Sequence, residues 1–445
     1  SHMRKLNLQS VKLTRADHLD QTLAYLITSG CQSPIRYAKL VEAYCSTSRI
    51  HSGHLLFHHV LYPNLLLFNT LLRCIPPIPS INLFARTFDS HLLFDEFTYT
   101  YGLGACARSR TSASLCFGRQ LHGNIIKVGF ASNLPMATTL IHFYGYNGYP
   151  GTSREVFDEI PERNIITWNS MLSCYCSNKL YPQVIPLFRK LYRVEKPNGT
   201  TAVCVLSAIA RLGDTKAGLC FHALIEKAIH APEEDVYIGT GLVDMYSRSG
   251  ILVSALKVFD SMPQRNVVTW SAMANGFSVH GSGEEALEFL DAMVAAGMRP
   301  NEVTMSSILS ACCNAGLVRE GLDLIRNMKV KFGLEPVIQH YGCLVSMLGR
   351  SGHLKEAYRT IVEMGEHADA IMWRILLSAC WAHKDTELGE RVGRLLFDMA
   401  GDDWSQDYVA LSNLYASAHK WHQVEIVRKD MKTNNVAVNT GASFA

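Results

Sequence analysis

Apolar residues recur along this chain at helical spacing, in pairs of short stripes. Trp270, Met273, Ala274 and Phe277 form one stripe, and Ala286, Leu287, Phe289, Leu290 and Met293 form another, with His280 to Gly283 between them. Each stripe predicts a helix and the interruption predicts a turn, so the unit is a helical hairpin. Neither helix can bury its stripe alone. Stacking on neighbouring hairpins must therefore make the core.

The hairpins repeat. VFDEIPERNIITWNSML begins at Val156 and VFDSMPQRNVVTWSAM at Val258, which sets Trp168 and Trp270 102 residues apart; Tyr144 and Tyr246 share that offset, and Phe68 lies 100 residues before Trp168. Taking boundaries where TW, LFN or FT recurs gives units at 34–64, 65–95, 96–133, 134–164, 165–198, 199–235, 236–266, 267–301, 302–337 and 338–369. A period of this kind predicts an all-α solenoid with a concave inner surface rather than several globular domains.

Composition changes this picture little. Of 445 residues, 48% are hydrophobic, enough for a continuous core. The thirteen cysteines are odd in number, irregularly spaced and often on predicted helices, as at Cys106, Cys312 and Cys380, so they read as small buried thiols of a reducing compartment. No apolar run reaches the roughly 18 residues that span a bilayer. Ser1-His2-Met3 reads as an expression-vector scar, and a natural targeting peptide is expected to have been removed with it.

With the units drawn, the chain resembles pentatricopeptide-repeat proteins of the plant PLS class. Units ending in Lys196-Pro197-Asn198 and Arg299-Pro300-Asn301 resemble P repeats, those with MYSRSG and a terminal PERN or PQRN resemble S repeats, and those with GRQLHGNIIKVGF or GLCFHALIEKAI resemble L repeats. The order is S-P-L three times and then S, preceded over 11–33 by the back half of another L repeat. From Ala370, IMWRILLSACWAHKDTELGERVGRLLFDM and DYVALSNLYASAHKWHQVEIVRKDMK resemble tetratricopeptide-like E motifs, so 370–445 is an E region; Gly441-Ala442-Ser443-Phe444 stands where the family has Gly-Cys-Ser-Trp. The resemblance implies a right-handed superhelix of helix-turn-helix repeats. Two features depart from the pattern: Ile75-Pro76-Pro77-Ile78-Pro79 predicts a shortened, irregular P repeat at 65–95, and Pro186 predicts an interruption or kink in the second helix of 165–198.

In that family one repeat reads one base of single-stranded RNA through the fifth residue of its first helix and the last residue of the unit. Such pairs are Asn69/Asp95, Thr138/Asn164, Asn169/Asn198, Thr240/Asn266 and Ser271/Asn301. Short amides and hydroxyls suit this task because they meet the Watson–Crick edge of an unstacked base. The competing reading is that these residues merely cap helices. The L pairs Thr100/Asn133, Val203/Asp235 and Ser306/Val337 include valines that cannot hydrogen-bond a base, and Gly342/Asp369 assigns none. Second-position Leu66, Ile166, Tyr237 and Val268 are candidates to sandwich bases, with a core role as the alternative. Net charge is only +3, but Arg108, Arg211, Arg248 and Arg350 share the thirteenth position of their units and are candidates for phosphate contact, against a reading as ordinary solvated arginines.

By the family's code the pairs spell U-N-A-Y-N-A-A, followed by five unassigned nucleotides and an edited cytidine. The resemblance thus implies a specificity factor for C-to-U editing of plant organellar RNA, with a slight preference for the chloroplast over the mitochondrion. It implies that a DYW-type cytidine deaminase and multiple organellar RNA editing factors (MORF) act in trans, recruited by the E motifs. No His-x-Glu and no Cys-x-x-Cys occurs, which excludes a zinc deaminase within these residues; no cofactor or metal, no membrane and a monomer are expected. His122 and His222 recur at matching places and read as packing residues. The alternatives are an RNA stabilisation or processing factor, and a protein-binding helical scaffold.

Overall fold

The computed structural model describes residues 16–29, 33–59, 64–87, 94–130, 133–399 and 405–433; the terminal Gly-Ala-Ser-Phe and residues 11–15 and 30–32 of the partial front repeat lie outside them. Among the described residues there are 25 α-helices and no strand. The fold is all-α, built of stacked helical hairpins of the α-solenoid class. Its contacts gather into two compact units, Ser1–Ala208 and Ile209–Ala445.

In the first unit the opening helices of the hairpins are Pro34–Ser46, Leu65–Cys74, Glu96–Ser109, Leu134–Tyr146 and Ile165–Ser177, each packed against the next in this order. In the second they are Val236–Arg248, Val267–His280, Glu302–Ala315 and Ile338–Arg350, continued by Ala370–His383 and Ser405–Ser417. Returning helices such as Pro77–Thr87 and Gly283–Ala295 pack on the opening helix of the following hairpin as well as their own. One wall of each unit is thus made of opening helices alone.

The recurrent sequence motif explains itself in the packing. Phe157 meets the Trp168 ring edge-on at 5.0 Å, and Phe259 meets Trp270 at 4.9 Å. The arginine of PERN and PQRN turns back over the returning helix that precedes it. Arg163 donates through Nε to the Phe157 carbonyl at 3.0 Å and lies 4.7 Å from that ring; Arg265 does the same to Phe259 at 2.7 Å and 4.6 Å. It satisfies carbonyls that a helix end leaves without partners. The asparagine that follows, Asn164 or Asn266, caps the next helix by accepting from the amide of Thr167 or Thr269. One Arg-Asn dipeptide therefore ends one helix and starts the next. A cap of this kind stabilises a helix by about 1 kcal/mol.

The prolines follow the sequence expectation at 65–95, where the opening helix is shortened, and depart from it at Pro186. Leu65–Cys74 has 10 residues, against 13 or 14 in the other opening helices. Pro77 and Pro79 sit in the first turn of Pro77–Thr87, where the missing donors would have no helical partner anyway. The helix Tyr181–Val194 runs uninterrupted through Pro186. Its absent amide would have reached only Pro182, at the second residue of the helix.

Cys106, Cys312 and Cys380 are buried, and burial pushes their thiols up to about 12, 11 and 12, so they stay protonated and serve packing. Among the described residues no helix is long and apolar enough to cross a membrane.

Candidate nucleic-acid interface

Opening helices carry both members of each candidate pair to one place. Asn69 Nδ2 donates to Asp95 Oδ1 at 3.1 Å and Asn169 Nδ2 to Asn198 Oδ1 at 2.9 Å, while Ser271 Oγ lies 3.3 Å from Asn301 Oδ1 and has a nearer acceptor for its proton in the Val267 carbonyl at 2.8 Å. Thr240 joins Asn266 through Thr269, whose hydroxyl lies 2.7 Å from that of Thr240 and 3.1 Å from Asn266 Oδ1. Thr138 is different: its hydroxyl turns back to the Leu134 carbonyl at 2.9 Å, and no hydrogen bond links it to Asn164. The slots are narrow. Asn169 and Ser271 are only 7% and 6% exposed.

The last residue of all five candidate pairs also caps the next opening helix, so capping and pairing are not alternatives. Asp95, Asn164, Asn198, Asn266 and Asn301 all accept through Oδ1 from the amide three residues on. That residue is a threonine every time: Thr98, Thr167, Thr201, Thr269 and Thr304, all fully buried. Its hydroxyl bonds the same Oδ1, at 2.7–3.1 Å across the five. This third-position threonine was not a sequence-derived candidate, although Thr98, Thr167 and Thr269 are the Thr of the recurring FT and TW.

Capping decides what each pair can offer a ligand. In the asparagine slots Oδ1 is taken, so Nδ2, a donor, is the free end of the amide. At Thr240/Asn266 the two hydroxyls lie 2.7 Å apart and either can donate; with the Thr269 proton on Asn266 Oδ1 at 3.1 Å, Thr240 donates to Thr269 and presents lone pairs outward. Acceptor beside donor complements the adenine edge, N6–H₂ beside N1. Asp95 inverts the sense of the last position. Oδ1 is the cap, and Oδ2 is a carboxylate acceptor 3.4 Å from Asn69 Nδ2. Acceptor beside an amide donor matches uracil N3–H and O4. Burial opposes ionisation of Asp95, but bonds from the Thr98 hydroxyl, the Thr98 amide and Asn69 outweigh it and hold the carboxyl below its ordinary value.

Around the slots, Leu66, Ile166, Tyr237 and Val268 are 47%, 60%, 74% and 61% exposed, so they are not core residues. Ile35, Phe97, Val303 and Ile371 hold the same second position and are equally exposed; the sequence reading passed over them. Exposed apolar side chains at helical starts suit stacking against bases. Arg108 and Arg211 are exposed. Arg248 is half-buried and bound to Asp244 at 2.8 Å, and Arg350 donates to Asn314 at 2.9 Å.

The L and E slots are built otherwise. Asn133 donates its amide to the Glu96 carboxylate, Asp235 caps by accepting from the Tyr237 and Ile238 amides, and Val337 has no side-chain cap; His340 replaces the threonine there, accepting at Nδ1 from the Val337 amide and donating through Nε2 to the Glu302 carbonyl. At Gly342 a side chain would meet nothing within 4 Å, so the fifth position is empty. In the E region the fifth position is Arg374, held in a two-pronged ion pair with buried Asp407 at 2.7 and 2.9 Å. That pair ties up the polar groups of the slot in an ion pair. His122 and His222 bond the hydroxyls of Tyr144 and Tyr246 at 2.8 and 2.7 Å.

Comparisons with known proteins agree with this architecture. The PPR repeat model matches residues 136–165, 166–192, 240–267, 303–331 and 340–367, the PPR repeat family model matches 265–314, and the E motif model matches 383–444. A pentatricopeptide repeat-containing protein of Arabidopsis thaliana is 42% identical over 446 residues, covering 95% of this chain and 94% of the relative. A second from the same plant, named chloroplastic/mitochondrial, is 34% identical over 429 residues, covering 92% of this chain and 66% of the relative. Among solved structures, the pentatricopeptide repeat protein PPR10 in complex with an 18-nt psaJ RNA element shares the fold with a TM-score of 0.74 at 16% identity, over 94% of this chain and 62% of that one. With a relative this similar across nearly its whole length, and with repeat and E motif models matching in sequence, the chain belongs to the pentatricopeptide repeat family.

Proposed function

We propose that this protein binds single-stranded RNA in a sequence-specific manner and selects a cytidine for C-to-U editing in a plant organelle. The observation that carries the RNA reading is the recurring slot: a polar fifth residue and the last residue of its unit are joined by a buried threonine, with one donor or acceptor left free. Exposed apolar residues stand at the starts of the helices beside it. A protein-binding scaffold has no use for that repetition of hydrogen-bond sense. The RNA-bound relative of the same fold supports the reading.

Editing rests on the E region. The polar groups of its slot, Arg374 and Asp407, are paired with each other, which argues against its extending the reading surface, and a family model for the E motif matches it. In our reading it recruits a deaminase of the DYW type, together with MORF partners, and the chain itself performs no catalysis. The test removes residues 370–445 and supplies the deaminase in trans. Retained RNA affinity with lost editing supports recruitment; editing that survives the deletion refutes it.

A further inference from the structure

Among the described residues, His222, Glu226 and Glu233 bring one imidazole nitrogen and two carboxylates to a common point, with ligand atoms all within 4.8 Å of one another. We propose that this triad is a binding site for one divalent transition-metal ion, zinc by donor type, with water completing a tetrahedron. Neither the base-reading slots nor the E region uses these residues.

The spacing favours an ion over a proton. His222 Nε2 lies 3.5 Å from Glu226 Oε1 and 3.9 Å from Glu233 Oε1, too far for good hydrogen bonds, and it is a buried nitrogen without a hydrogen-bond partner. Zinc bonds to nitrogen and carboxylate oxygen run about 2.0–2.2 Å, which puts neighbouring donor atoms of a tetrahedral site roughly 3.3–3.5 Å apart. His222 and Glu226 stand at that separation already, Glu233 is further from the imidazole at 3.9 Å, and all three donor atoms lie within 4.8 Å, so a small side-chain movement would close them on an ion. The other ring nitrogen, Nδ1, lies 2.7 Å from the Tyr246 hydroxyl, an outer contact of the kind that orients a metal-binding imidazole; in the tautomer in which Nδ1 donates to that oxygen, Nε2 is the lone-pair end.

The chain contains its own control. His122 makes the same contact with Tyr144, but the residue four positions on is Ile126, exposed, where the second hairpin has Glu226. Packing accounts for the His–Tyr pair in both places. It does not account for two carboxylates gathered around only one of them.

The site would also act on the backbone. His222 and Glu226 lie on the helix Thr215–Ala228, whereas Glu233 lies in the 3-10 helix Pro232–Glu234, after Ala231 in the left-handed region at φ 44. A shared ion would clip that strained turn to the helix, just ahead of Asp235, which caps Val236–Arg248.

Cobalt(II) titrated into the metal-free full chain, followed by visible and near-ultraviolet absorption and then by zinc competition, tests this. Wild type should take up one cobalt ion with the d–d bands of a nitrogen and oxygen tetrahedron and no thiolate charge-transfer band, and zinc should displace it and raise the thermal midpoint. Glu226→Gln with Glu233→Gln should abolish uptake. Tyr246→Phe, which removes only the orienting hydroxyl, should weaken it about 10–100-fold. A thiolate band, no uptake by wild type, or equal uptake by the double carboxamide variant would overturn the assignment. The wild-type spectrum decides between imidazole and cysteine ligation even where a variant folds poorly.

Discussion

Asn266→Asp isolates one atom of the reading surface. In the protein Asn266 Oδ1 caps the helix Val267–His280 through the Thr269 amide at 2.9 Å and takes the Thr269 hydroxyl at 3.1 Å, while Nδ2 makes no hydrogen bond among the described residues. Aspartate keeps the capping oxygen, and its negative charge suits a helix start as well as asparagine does. The substitution therefore changes the free end alone, from donor to acceptor. Toward adenine a donor facing N1 becomes a carboxylate facing N1; toward guanine the same carboxylate meets N1–H and N2–H₂, and the Thr240 hydroxyl can turn to donate to O6. A two-point base contact discriminates by about 1–3 kcal/mol in the DNA case, roughly tenfold or more in affinity. Fluorescence anisotropy with two RNAs, identical except for A or G at the nucleotide of this unit, should show wild type preferring A and the variant preferring G, with unchanged thermal midpoints. If both proteins rank the two RNAs alike, base reading by this slot is wrong. If the preference changes only alongside a fall in the midpoint, the substitution has broken the cap and Oδ1 does not keep its place.

Three further outcomes follow from the same geometry. Arg248→Ala with Arg350→Ala should reduce the slope of log affinity against log salt by roughly 0.7 for each phosphate of a single strand that is no longer neutralised, and an unchanged slope would return both arginines to the Asp244 and Asn314 bonds they make in the free protein. Asp95 is held ionised below its ordinary range, so discrimination for U at its unit should be flat from pH 8 to pH 5; the stability it contributes is present above its unfolded-state value near 4 and is lost only as pH falls through the lower folded one, and a change in discrimination near pH 6 would contradict this. Gly118→Ala places a methyl 2.2 Å from Phe143 Cζ and should lower the thermal midpoint through an overpacking cost of about 1–3 kcal/mol, whereas Gly123→Ala on the same helix meets nothing and should raise it through up to about 1 kcal/mol of helix propensity.

The hairpins were legible in the sequence because burying one stripe per helix leaves a period of three and four that nothing else imitates. Trp168 and Trp270 showed the repeat because each fills the same cleft beside a phenylalanine. Other features were hidden for physical reasons. Thr98, Thr201, Thr269 and Thr304 act through a hydroxyl that only a folded neighbour can reach, since each welds residues from the unit before its own. In the sequence, capping and reading look like a choice at Asn164 or Asn266, because the letters do not show that an amide can give its oxygen to a helix and keep its nitrogen free. Pro186 looked like an interruption since its cost depends on where the helix begins, and the helix begins at Tyr181, close enough for the missing bond to matter little. His222 and Glu226 shared a helix face in plain view, but Glu233 joins them only through the turn at Ala231.

The central claim is that the order of slots along the chain is an order of bases. Its most direct test is the affinity of the full chain for a single-stranded RNA carrying U-N-A-Y-N-A-A, measured against a scrambled RNA of equal length and composition at one fixed, near-physiological salt concentration. Four joined slots, each discriminating by about 1 kcal/mol or more, predict tighter binding of the matched RNA by at least about a hundredfold. Equal affinity for the two RNAs would contradict the account.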